Sequence, residues 1–365
     1  MKMIERIAFV INAIHLGVPS CVIRNILYSI NREKYDPYLI TIFNESTPEV
    51  IDEVKNLGIQ VIECKFKGRA SAILFGQRQF NSIIKQHNIT VIHSHGFIPD
   101  ILSSRVKDGR IKKVTTIHNN PYYDYPEVYG KTKSLFYLRT HFHYLRRIDD
   151  CACCSTYVYD AVKYTLSNTM IVRNGIGNTV PKEAVSRTDI GIPDNATLFI
   201  YVGQLRTRKN IIWLIQQFKY YHRENEYLIV LGKGADKEAC DKIQDPNIIH
   251  YGFSDNPYAF MQISDVYISA ALAEGFSISV LEAMDNGLAL FLSDIPAHTE
   301  AFTAANGVYI GECFKSNDSK SFEKQLNVLR KKLSSIDKDA IRQIKNQEMS
   351  AEKMTRQYEK LYTSH

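Results

Sequence analysis

Two glutamates eight residues apart, Glu274 and Glu282, bracket a turn of Gly275, Phe276, Ser277, Ile278 and Ser279. The apolar run 266–269 predicts a strand before the turn, and 280–284 predicts a helix opening after it. A Gly/Ser turn at a helix start offers unpaired backbone N–H groups and the positive end of the helix dipole, a setting that suits a diphosphate. A carboxylate at Glu282, in the first turn or so, can accept two hydrogen bonds from a ribose diol. Glu274, at the strand end, faces whatever the diphosphate carries. The same residues also describe an ordinary capped helix, with Ser277 or Ser279 as the cap and Glu282 closing a capping box. Local pattern leaves both readings open.

Other residues with chemical potential stand at predicted strand ends. Gly17, His93, His95 and His118 follow apolar runs in the first half of the chain, and Arg206-Thr-Arg-Lys209 follows one in the second. Between 105 and 147 ten basic residues face three acidic ones, so this segment carries the whole net charge of +6. A patch of that kind suits phosphate groups. Seven cysteines include the cluster Cys151, Cys153 and Cys154. No second Cys/His pair stands at zinc-like spacing, and buried free thiols are expected. Asp337-Lys-Asp339 reads as a solvated helix surface, not a metal motif.

These residues need a scaffold. With 365 residues, 45% apolar and 23% charged, the chain is expected to form two globular domains. The first half predicts strands at 7–11, 38–43, 59–63, 90–93 and 113–117, with helices at 22–30, 48–57, 71–86 and 99–106. The second predicts strands at 198–202, 227–231, 248–251, 266–269 and 289–293, with helices at 210–221, 256–263 and 279–286. Continuous apolar strands alternating with helices predict parallel sheets covered on both faces, with ligands at the carboxyl ends of the strands. The Gly/Pro/Asn-rich stretch 174–195 reads as a linker. The predicted helix 132–148 puts Leu135, Leu138, Phe142 and Leu145 on one face, with Tyr122, Tyr123, Tyr125 and Tyr129 in a loop before it. From 319 onward the chain reads as charged helices, with one apolar stripe at Met354, Tyr358 and Leu361. No secretory leader and no run of about 18 apolar residues is visible, so a cytoplasmic protein is expected.

The segment 274–300 resembles the Glu–x7–Glu motif of glycosyltransferase family 4, the retaining nucleotide-sugar transferases of GT-B fold. Glu-Gly-Phe-Ser at 274–277, Leu-Glu-Ala-Met at 281–284, Gly287 and Ser293-Asp-Ile295 stand where that family has them. The resemblance implies that Glu282 holds the ribose and that Glu274 contacts the transferred sugar near its anomeric carbon. Gly275, Phe276 and Ser277 would meet the sugar, and Ser277, Ser279, Val280 and Leu281 the diphosphate. Tyr201 to Asn210 resembles the family's Gly-Arg-Leu-x3-Lys segment. Lys209 matches the lysine that neutralises the donor diphosphate. Gln204 stands where arginine is usual, and Arg206 or Arg208 would replace the lost charge. Gly17 matches part of a glycine-rich diphosphate loop, in the shorter form Gly-Val-Pro-Ser. Gly203, Gly252 and Phe253 match loops near the nucleotide, and His118 matches a histidine near the sugar that acts with Glu274 at the catalytic centre.

The implied architecture is α/β: two Rossmann-like doubly wound domains, 1–180 for the acceptor and 181–345 for the nucleotide-sugar, facing a cleft. A C-terminal helix, 346–365, crosses back to the first domain. The implied activity is retaining transfer of a sugar from a nucleotide-sugar, a UDP-sugar first, to a hydroxyl of a glycan or lipid-linked acceptor in capsule, lipopolysaccharide or other surface-polysaccharide synthesis. Neither a metal nor another cofactor is expected, and nucleic acid is not an expected partner. Tyr122, Tyr123, Arg139, Arg146 and Arg147 are expected on an acceptor or membrane face, peripheral to the inner leaflet. The alternatives are a non-catalytic GT-B subunit that regulates a partner and a nucleotide-sugar epimerase of the same fold.

Overall fold

The computed structural model describes residues 4–15 and 17–363 and divides into two compact units, 1–177 with 350–365, and 178–349. In the first unit seven parallel strands form one sheet. They are β1 (Glu5–Ile11), β2 (Tyr35–Phe43), β3 (Gln60–Phe66), β4 (Val91–His95), β5 (Lys112–Ile117), β6 (Asp150–Cys153) and β7 (Thr169–Ile171), in the order β3-β2-β1-β4-β5-β6-β7. Strand period two sends alternate residues of β1 to opposite faces. Ile7, Phe9 and Ile11 enter the core cluster beneath the helix Val18–Ser29, while Ala8 and Val10 enter the cluster beneath the helices Arg69–Gln86 and Phe97–Ser104.

The helix Ala351–Thr363 belongs to this first unit. Met354, Tyr358 and Tyr362 are buried in the same cluster as Ile7 and Phe9. Tyr362, not Leu361, completes the buried stripe, and Leu361 packs at its margin.

In the second unit six parallel strands form the other sheet. They are β8 (Thr197–Val202), β9 (Glu226–Leu231), β10 (Ile248–Gly252), β11 (Val266–Ser269), β12 (Ala289–Ser293) and β13 (Gly311–Phe314), in the order β10-β9-β8-β11-β12-β13. In each sheet the first strand lies between its successor and a later strand, which creates a switch point where the chain winds off in both directions. The switch falls at β1/β4 in one unit and β8/β11 in the other, and crevices outside the carboxyl ends of such strands are where open α/β sheets bind ligands.

Two local expectations are corrected. Tyr122, Tyr123, Tyr125 and Tyr129 lie on a helix, Pro121–Tyr129, and not in a loop. Asn120 caps it by accepting from the Tyr122 N–H, Pro121 occupies its first turn, and Gly130 at φ 78 ends it. Leu135 is exposed, because the helix Lys131–Leu145 buries Ser134, Leu138, His141, Phe142 and Leu145 instead. The buried face is turned toward His141, whose Nε2 meets the buried Asp100 carboxylate at 2.8 Å and whose Nδ1 bonds the Tyr125 hydroxyl. A polar side chain occupies the apolar face because both its nitrogens are satisfied.

Candidate functional site

Lys209 and Glu274 come from the two strands of the second unit's switch point. Lys209 ends the short 3-10 turn Thr207–Lys209 after β8, and Glu274 follows β11. Their side chains form an ion pair in which the Glu274 residue is 7% exposed. Burial alone would raise the Glu274 pKa, but the charge and hydrogen bond of Lys209 outweigh it, with His298 and Arg208 adding, and hold the carboxyl below its usual range. Glu274 is therefore an anion at neutral pH. Arg206 is half-buried, and its Nε has no hydrogen-bond partner. Gln204 is exposed, and only its carbonyl is engaged, by the Tyr201 hydroxyl at 2.9 Å.

Beside this pair the helix Ile278–Asp285 begins. Ser277 occupies the N-cap position without making a side-chain cap, and no acidic residue stands in the first turn. The hydroxyls of Ser279 and Ser277 are drawn to the Tyr267 phenol instead. The helix starts one residue earlier than expected, so Glu282 is its fifth residue, in the second turn, and no capping box forms. Its Oε1 accepts from the Tyr258 hydroxyl at 2.9 Å. Burial pushes the Glu282 carboxyl up to about 7, against the Tyr258 hydrogen bond and with Asp285 adding. The two glutamates thus differ in charge propensity because only one has a cation. The structural-cap explanation of the motif fails, and the helix start keeps donors available to an anion.

The glycines divide by cause. A Cβ on Gly203 would come within 2.9 Å of the Tyr201 hydroxyl, and one on Gly232 within 1.9 Å of the Gly203 carbonyl, so packing alone demands glycine there. Gly252 has φ +85 with open space around it, and the neighbouring Phe253 ring carries the Lys233 ammonium 4.2 Å from its centroid. Gly275, Phe276, Val280 and Leu281 are buried. In the first unit Gly17 is exposed and extended at φ −170, and a Cβ there would meet nothing within 4 Å.

The three histidines of the first unit separate as well. His93 is enclosed, with Nδ1 2.8 Å from the Tyr362 hydroxyl and Nε2 2.9 Å from Thr116 Oγ1. Both ring nitrogens are spoken for, which makes it an anchor for the C-terminal helix. His95 and His118 pair through Nδ1 and Nε2 at 2.9 Å, leaving His95 Nε2 and His118 Nδ1 without partners. Burial, offset in part by Asp100, pushes His118 down to about 4, so the ring is neutral at physiological pH.

Tyr122, Tyr123, Arg139, Arg146 and Arg147 are exposed. Tyr122, Arg139 and Arg146 line a hollow of about 400 Å³ floored by Leu135, Leu138 and Phe142. Cys151, Cys153 and Cys154 are buried in and after β6 as free thiols. Asp337 caps the helix Lys338–Glu348 by accepting from the Asp339 and Ala340 N–H groups. Among the described residues, no helix is long and apolar enough to cross a membrane.

Sequence reasoning passed over His298, Tyr258 and Tyr267. His298 is fully buried and close enough to Glu274 for their charges to interact. It comes from the next strand–helix unit, so no spacing rule within the motif points to it.

The family model "Glycosyl transferases group 1" matches residues 183–348, and "Glycosyltransferase Family 4" matches 22–177. The O-antigen biosynthesis glycosyltransferase WclY of Escherichia coli is 26% identical over 324 residues, covering 81% of this chain and 82% of that protein. HepE of Anabaena, solved in complex with UDP and glucose, has the same fold at TM-score 0.79 and 14% identity, covering 99% of this chain and 100% of that one. WaaG, a glycosyltransferase involved in lipopolysaccharide biosynthesis, superposes at TM-score 0.71 and 14% identity, covering 98% of this chain and 100% of that one. With the two models spanning both units and the fold shared throughout, the chain belongs to the family 4-type glycosyltransferases of GT-B fold.

Proposed function

We propose that this glycosyltransferase moves a sugar from a UDP-sugar to a hydroxyl of a glycan or lipid-linked acceptor in surface-polysaccharide synthesis, with retention of anomeric configuration and without a metal. The observation that carries this reading is the Lys209–Glu274 pair at the β8/β11 switch point, beside a helix start whose donors are uncapped. On this reading Lys209, Arg206 and the N–H groups of 277–281 receive the diphosphate, Glu282 the ribose, and Glu274 the sugar.

The bond from the anomeric carbon to the phosphate oxygen breaks, and negative charge gathers on the leaving diphosphate. Lys209 and Arg206 supply the fixed positive charge that a divalent ion would otherwise bring. Glu274, kept ionised, supports the positive charge developing on the sugar. The acceptor hydroxyl attacks from the same face, and its proton passes to the departing phosphate. The protein's part is positioning and electrostatic stabilisation. WclY and WaaG, by their names, favour a lipopolysaccharide-type acceptor, and HepE, bound to UDP and glucose, favours a UDP-sugar. The hollow at Tyr122, Arg139 and Arg146 suits peripheral contact with an anionic membrane, where each basic residue contributes about 1 kcal/mol.

The test is nucleotide release from a panel of UDP-, GDP- and TDP-sugars with and without a chelator. Release from at least one donor, unchanged by the chelator, is expected. No release from any donor contradicts the transferase reading, and chelator sensitivity contradicts its metal-free form. Replacing Glu274 by Gln should lower kcat by about a hundredfold or more while changing donor Kd far less. Equal loss of both would contradict its assigned place at the sugar.

A further inference from the structure

His298 is fully buried at the start of the helix Pro296–Ala304, after β12. Its Nδ1 lies 3.1 Å from the Ser293 carbonyl oxygen and 3.1 Å from Ser293 Oγ. A carbonyl cannot donate. The Ser293 hydroxyl already gives its hydrogen to the Ala271 carbonyl at 2.7 Å, so it too can only accept from the ring. The proton must therefore sit on Nδ1. Burial, only partly offset by the Glu274 charge, pushes the ring pKa down to about 4, so the imidazole is neutral and Nε2 is a lone pair. That lone pair is buried without a hydrogen-bond partner. Through Ser293 the ring is tied to Ala271, three residues before Glu274, and it lies close enough to Glu274 and Lys209 to feel both charges.

We propose that His298 selects the donor sugar, its Nε2 accepting a hydrogen bond from one hydroxyl of the transferred hexose. The chemistry favours a hydroxyl over the diphosphate. A fixed lone pair repels anionic phosphate oxygens, which bring no hydrogen, whereas a sugar hydroxyl brings one and fills the missing bond. Ser293 makes this orientation rigid, because its hydroxyl and carbonyl tie the ring to the ends of β11 and β12 together. A site built to accept from a hydroxyl discriminates strongly against a sugar that lacks one at that position. This assignment rests on the placement of the sugar at Glu274.

The experiment titrates the full chain with UDP, UDP-glucose, UDP-galactose and UDP-N-acetylglucosamine, comparing wild type with His298→Asn. Asparagine keeps an N–H at the Nδ1 position, toward Ser293, and removes the acceptor at Nε2. UDP affinity should change less than about twofold, whereas the sugar nucleotide that wild type prefers should weaken on the order of tenfold. Equal weakening of UDP and the sugar nucleotide would make His298 a structural residue and overturn the proposal, as would no weakening at all. If His298→Asn does not fold, His298→Gln answers in its place. Glutamine puts an acceptor near Nε2, so it should keep the preferred order of sugars, and losing that order would overturn the assignment. Failure of the wild type to bind any of the four ligands would instead remove the UDP-sugar reading, and this inference with it.

Discussion

Glu274 and Glu282 stand eight residues apart and are pushed in opposite directions, one held ionised by Lys209 and the other raised to about 7 by burial. A ribose diol donates best to an ionised Glu282, so donor binding should strengthen with pH. With a free-state pKa of about 7, the Kd for UDP-glucose should fall about tenfold between pH 6 and pH 8. Glu282→Gln should bind weakly at both. Folding stability runs the other way. A carboxyl raised from its ordinary 4.5 to about 7 contributes stability that is fully present below 4.5 and lost as pH rises through 7. Glu282→Gln, a neutral isostere, should therefore raise Tm over wild type clearly more at pH 8 than at pH 5. Thermal melts at the two pH values check this, and a variant that tracks wild type at both would contradict the raised pKa. The two glutamates and Lys209 were legible in the sequence because each lies in a contiguous motif at a strand end. His298 was not, since it comes into the range of the Glu274 charge only once β11 and β12 pair.

The helix Ile278–Asp285 must hold its start in place while leaving it uncapped, and it does so from its other end. Asp285 accepts from the buried Lys345 ammonium at 2.6 Å and from the Thr179 N–H and hydroxyl. Lys345 comes from the helix Lys338–Glu348, which packs along the helix carrying Glu282. Removing one partner of a buried pair strands the other charge, so Lys345→Met should cost roughly 3–5 kcal/mol in denaturant unfolding. A loss below about 1 kcal/mol would show that the clamp is not under the helix. Periodicity revealed the strands and helices next to the motif because they are long and uniformly apolar. It missed the helix Pro121–Tyr129, where Pro126 and the tyrosines blur the period and the cap at Asn120 decides the outcome. It also missed the short strands β6, β7 and β13, whose three or four residues carry too little pattern to read.

Across the whole molecule, two doubly wound sheets and the family to which the chain belongs were visible in the alternation of apolar strands and helices together with the motif. The tertiary bonds of the last helix were not, because they join residues more than two hundred positions apart. Tyr358 bonds Thr116 Oγ1 at 2.7 Å, Tyr362 bonds His93 at 2.8 Å, and Glu359 accepts from the Asn31 N–H at 2.9 Å. Each buried tyrosine removes apolar area worth about 2 kcal/mol from water. Deleting 350–365 should therefore lower the unfolding temperature of the first unit while leaving the transition of the second unit in place. Calorimetry of the truncated chain reads both, and an unchanged first transition would contradict the assignment of this helix to the first unit's core. Whether the carboxyl ends of β8 and β11 receive a nucleotide-sugar is read in a crystal structure of the full chain with UDP. The ribose is expected on Glu282 and the diphosphate against Lys209 and the N–H groups of 277–281. Nucleotide bound elsewhere, with Glu282 still paired only to Tyr258, would contradict it.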